Sequence, residues 1–69
     1  MKISARNILK GSIKEITLGS INANVVIDVN GIEIAAQITK ASVEELQLAV
    51  GKSAYAIIKT DNVMVGVDE

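Results

Sequence analysis

Cysteine, histidine, proline, tryptophan and phenylalanine are all missing from this 69-residue chain, and Tyr55 is its only aromatic residue. Without cysteine or histidine there is no disulfide framework, no zinc site of the usual kind and no Cys or His nucleophile. An all-carboxylate site is the one metal option left open. A lone tyrosine offers almost nothing for nucleic-acid bases to stack on. A surplus of one charge sign is missing too. Seven basic residues face eight acidic ones for a net charge of −1, whereas nucleic-acid binders usually carry a basic excess. Long hydrophobic runs are absent: the longest, Ala54 to Ile58, falls far short of the roughly 20 residues of a membrane-spanning helix. No apolar h-region follows Met1-Lys2-Ile3-Ser4-Ala5-Arg6, so a secretory leader is not expected and a cytoplasmic location is the default.

What the chain does have is aliphatic bulk. Apolar residues make up 49% of it, with 11 Ile, 8 Val, 8 Ala and 4 Leu. The β-branched share favours a pleated sheet over a helical bundle. The length allows one domain at most, taken as residues 1–69. Chains below roughly 70–80 residues hold only a marginal core, and disulfides, metals or partners usually supplement it. With the first absent and the second lacking its usual ligands, a mean hydropathy of +0.39 points to apolar surface buried between subunits. An obligate homo-oligomer is expected.

Ile8 to Leu18 reads as a strand whose alternation slips around Gly11, where a bulge or bend is cheap. After a Gly19-Ser20 turn, Ile21 to Val29 alternates, with Ala23, Val25, Ile27 and Val29 on one face. Val26 interrupts the polar face and predicts partial cover there. Asn30-Gly31 is a strong type I′ hairpin signal, since both residues tolerate positive φ. Ile32 to Ile38 is the return strand. Ser42-Val43-Glu44-Glu45 has the capping-box form, which predicts a short helix over about 43–48 with Val43 and Leu46 facing inward. Gly51 ends the connection, Ser53 to Lys59 is a strand, Thr60-Asp61-Asn62 a turn, and Val63 to Val67 a last strand. Three strands, a helix and two strands match an all-β, five-stranded OB-like barrel with one short helix between strands 3 and 4.

Catalytic chemistry finds little support, and no enzyme is expected. Glu44 and Glu45 are adjacent on a helix and point apart. Gly51-Lys52-Ser53 resembles the tail of a phosphate loop, but the glycine needed five residues earlier is Leu46. No histidine is available to activate a serine. What remains is a set of donors at strand ends: Ser4, Arg6, Thr39, Ser42, Lys59 and Thr60. A tetrahedral oxyanion calls for hydroxyls and amides from several directions with one or two cations. Each residue also has a plainer reading: Ser42 as a helix cap, Thr39 as a strand end, Thr60 as a turn residue, Lys59 as a solvated edge.

Ser4-Ala5-Arg6-Asn7-Ile8-Leu9-Lys10-Gly11 resembles the SARNxLKG opening of the molbindins, small molybdate-binding proteins of the Mop/TOBE type. Ile38-Thr39-Lys40-Ala41-Ser42-Val43-Glu44-Glu45-Leu46 and Lys59-Thr60-Asp61-Asn62-Val63-Met64 resemble two further segments of that family, in the same order. The resemblance implies a hexamer built as a trimer of dimers. It further implies molybdate or tungstate as ligand at subunit interfaces, for storage or homeostasis, and no cofactor. Carried over, Ser4, the Ala5 amide and Arg6 would come from one subunit, with Thr39, Ser42, Lys59 and Thr60 completing the shell from its neighbour. Gly19 and Ser20 are assigned to a second oxyanion site. The competing reading is an oligomerisation or regulatory sensing module with little storage role. Neither reading involves nucleic acid or a membrane as partner.

Overall fold

The computed structural model describes all residues, 1–69. Its elements are β1 (Asn7–Leu18), β2 (Asn22–Val29), β3 (Ile32–Thr39), a helix α1 (Lys40–Glu45), β4 (Ser53–Ile58) and a 3₁₀ turn over Thr60–Asn62. The strands form one antiparallel sheet in the order β3-β2-β1-β4, curled into a half-barrel. β1 is long enough to serve two partners. Its first half, Asn7 to Ser12, pairs with β4, and its second half pairs with β2 up to Leu18.

The expected bulge exists, but it sits at Lys14 and not at Gly11. The β1–β2 register shifts between Ile13 and Glu15. An extra residue there resets the alternation, so Ile13 and Ile16 both face the core although they are three positions apart. Gly11 is needed for a different reason: a Cβ on it would stand 2.2 Å from the Asp28 carbonyl oxygen. The hairpin between β2 and β3 follows the sequence signal, with Asn30 at φ 51° and Gly31 at φ 88°.

The helix begins earlier than the capping-box pattern suggests. Thr39, in extended conformation, is its N-cap and accepts a hydrogen bond from the Ser42 amide at 3.0 Å. Ser42 is thus a first-turn residue, and Glu45 is the last residue of the helix. The end is a Schellman motif. Gln47 takes a left-handed φ of 54°, its amide donates to the Glu44 carbonyl, and the Leu48 amide donates to the Val43 carbonyl at 3.0 Å. That reversal turns Leu46 outward and brings Leu48 in. Val43 is buried as expected, while Leu46 is 65% exposed and Leu48 packs against the core in its place.

Four strands form, not five. Val63 to Val67 retains the apolar alternation of a strand, yet no edge within the chain pairs with it, and Met64, Val65 and Val67 are almost fully exposed. A strand needs a partner for its ladder, and β3 and β4 leave both outer edges of the sheet open.

The core is correspondingly small: Ile13, Ala23, Val25, Ile27, Val43 and Ala56. Alongside it runs an open apolar groove of about 340 Å³, with Ala36, Ile38, Leu46 and Tyr55 among its walls. A compact monomer of this mass exposes roughly 4,200 Å². This chain exposes 5618 Å². The excess, on the order of 1,400 Å², is more than one partner contributes to a typical stable subunit contact, about 800 Å². No helix is long and apolar enough to cross a membrane.

Candidate functional site

The sheet register decides which donors can meet. Asn7 opens β1 and stands opposite Ile58, which closes β4. The segments beyond that pair, Ser4-Ala5-Arg6 on one side and Lys59-Thr60 on the other, therefore leave the sheet side by side. Together they line a cleft of about 550 Å³. Ile3 and Ile57 supply apolar wall, and Asp61 is the only carboxylate among the lining residues. The 3₁₀ turn over Thr60–Asn62 holds Thr60 and Asp61 there, with the Asn62 amide donating to the Lys59 carbonyl at 3.0 Å.

No ion pair or side-chain hydrogen bond within the chain engages the donors of this cleft. Its one ion pair joins Lys14 to Glu33, on β1 and β3. The side-chain hydrogen bonds involve Lys14, Thr39, Ser42 and Lys52, and none engages Ser4, Arg6, Lys59 or Thr60. Two cations and two hydroxyls are left to face a ligand. Arg6 presents a planar fork of N–H donors, Lys59 a mobile point charge, and the hydroxyls add short-range donors that adapt by rotation. Such a set suits a tetrahedral oxyanion. No hydrogen bond joins either hydroxyl to Lys59 or Asp61.

Thr39 and Ser42 lie elsewhere. Thr39 is opposite Asn22, and Gly19 donates to the Asn22 carbonyl at 2.8 Å, so both belong to the end of the sheet where β1 finishes. The length of β1, 12 residues, puts about 35 Å of strand between that end and the Ser4–Arg6 segment. The two hydroxyls bond to each other at 2.8 Å. Gly19 and Ser20 border a separate cleft of about 400 Å³ at this same end, walled also by Asn22, Asn24 and Gln37 and carrying no charged residue. Of the seven residues expected in one shell, the chain thus gathers Ser4, Ala5, Arg6, Lys59 and Thr60. Lys59 and Thr60 share a cleft with Arg6 of their own chain, while Thr39 and Ser42 lie outside it.

Asp61, which reads in sequence as a plain turn residue, and Ile3 and Ile57, which no motif marks, also line the cleft. The signal for Asp61 was its place directly after Lys59-Thr60, since a turn that delivers two cleft residues delivers the third.

Comparison with known proteins adds to this geometry. The family model described as the TOBE domain matches residues 3–65. A probable molybdenum-pterin-binding protein of Haemophilus influenzae is 55% identical over 69 residues, spanning 99% of this chain and 100% of that protein. Among solved structures, a molybdate-binding protein from Sporomusa ovata superposes with a TM-score of 0.92 at 40% identity, covering 97% of this chain and 100% of that one. The cytoplasmic molybdate-binding protein ModG, solved with molybdate bound, superposes with a TM-score of 0.93 at 46% identity. That match covers 99% of this chain and 49% of the other, so the fold seen here spans about half of the longer protein.

Proposed function

The chain belongs to the TOBE-domain family, and from that premise we propose that it binds molybdate, and tungstate alike, as a cytoplasmic store or buffer of the oxyanion. The observation that carries the reading is the grouping of Ser4, Arg6, Lys59 and Thr60 in one cleft, with both cations free of ion pairs. Two positive charges offset the dianion, and hydroxyl and amide donors replace its hydration shell. Similarity to proteins described as molybdate-binding supports molybdate as the oxyanion.

The same reading places the complete site between subunits. In one chain the cleft is open, and Thr39 and Ser42 stand a strand's length away. The excess exposed area, the apolar groove and the unpaired strand-like Val63 to Val67 all support association of copies, with a hexamer as the expected assembly. The test is mass by light scattering together with bound molybdate counted by equilibrium dialysis. A particle near six chains that loses its molybdate with Arg6→Ala supports the reading. A folded monomer that binds with undiminished affinity refutes the interfacial site.

A second reading, an oligomerisation or regulatory sensing module, draws on one observation: the fold matches half of a longer molybdate-binding chain and so exists as a building block. It predicts assembly without appreciable molybdate uptake.

A further inference from the structure

We infer that Asp61 determines the specificity of the cleft by ligand charge, penalising dianions more than monoanions and keeping oxyanion binding readily reversible. The inference rests on the oxyanion reading given above. Asp61 lines the same cleft as Arg6 and Lys59, held there by the 3₁₀ turn that also carries Thr60. Within the chain its carboxylate is paired with neither cation, because the only ion pair joins Lys14 to Glu33. A residue carrying negative charge therefore lines the cleft in which a bound anion would sit. It subtracts from the attraction of the two cations, and a carboxylate has no hydrogen to donate to a fully ionised oxyanion.

The effect has a recognisable signature. At fixed geometry the Coulomb energy is proportional to ligand charge. Whatever factor Asp61 takes from the affinity of a monoanion, it takes the square of that factor from a dianion of the same shape. Molybdate and perrhenate provide the pair, tetrahedral oxyanions of similar size carrying two charges and one. Size, donor geometry and hydroxyl contacts are held nearly constant between them, so the comparison isolates charge. A structural role for Asp61, as the acidic residue in the first turn of the 3₁₀ segment, would instead move stability and leave the ratio of the two affinities alone.

The experiment is calorimetric titration of the wild-type protein, Asp61→Asn and Asp61→Ser with molybdate and with perrhenate, at low and at high ionic strength. Glu15→Gln serves as a control for net charge. Removal of the Asp61 carboxylate is expected to tighten perrhenate about threefold and molybdate about tenfold at low salt, with both gains shrinking at high salt. Equal gains for the two anions, no gain, weaker binding, or the same gain from Glu15→Gln would each overturn the assignment. Should the wild type bind molybdate and Asp61→Asn bind it no better, this inference alone fails. If neither protein takes up molybdate, the oxyanion reading fails and this inference with it.

Discussion

Arg6 and Lys59 come from opposite ends of the chain, and they meet because Asn7 pairs with Ile58. Each is a long, solvated side chain whose charge is unspent inside the chain. Replacing Arg6 by alanine should lower molybdate affinity about 10- to 100-fold, the range expected for losing a charge-assisted hydrogen bond. The melting temperature of the ligand-free protein should stay nearly constant, since Arg6 is exposed and contributes nothing to the core. Gly11 behaves in the opposite way. Any Cβ there meets backbone, the Asp28 carbonyl, and cannot be accommodated by a rotamer change. Gly11→Ala is expected to cost roughly 2–4 kcal/mol in a denaturant titration, on the scale of strained backbone and overpacked sites. A wild-type midpoint for that variant would contradict the close approach.

Both ends of α1 offer separate tests. Thr39→Ala removes the N-cap acceptor of the Ser42 amide and should cost about 1 kcal/mol. Gln47→Gly should gain about 0.5–1 kcal/mol, because Gln47 holds a left-handed φ that glycine adopts without a Cβ penalty. Thermal scans of both variants would show shifts of opposite sign. At the Lys14 bulge, the hydrogen bond and charge of Glu33 raise the Lys14 pKa above 10.5. The contribution of this pair is therefore complete below the ordinary lysine value and fades as pH rises through the raised one. These elements also show what was legible in the sequence and what was not. The Asn30-Gly31 hairpin and the Ala23-Val25-Ile27 face were readable because each is set by neighbours within a few residues. The helix start was misjudged because two capping patterns overlap: Thr39 and Ser42 both qualify, and only the end of β3 at Thr39 decides between them. The bulge was placed three residues early because a glycine in a strand signals either a bulge or a close approach, and Gly11 is the second. Val63 to Val67 has the pattern of a fifth strand, but pairing depends on an edge that the local sequence does not specify.

For the molecule as a whole, size was the most informative feature of the sequence. A core of six buried residues in 69, beside a wide apolar groove and a surface about 1,400 Å² larger than a compact monomer needs, supports the proposed association of copies. Five of the seven residues expected around an oxyanion line one cleft because one antiparallel pairing brings their segments together. Thr39 and Ser42 lie outside that cleft, because Thr39 pairs with Asn22 at the other end of the sheet. An anion bound between subunits stabilises the assembled state by about 2.7 kcal/mol per site at a hundredfold excess over Kd. The melting temperature should accordingly rise by roughly 10 °C or more with saturating molybdate, and cutting the chain after Asn62 should lower both the assembled mass and that rise. The most direct test of the central claim is a calorimetric titration of the purified protein with molybdate in a millimolar background of sulfate. Saturable uptake that sulfate does not abolish, lost on Arg6→Ala, is the result the account predicts. A well-folded protein that releases no heat with molybdate and takes up none would contradict it.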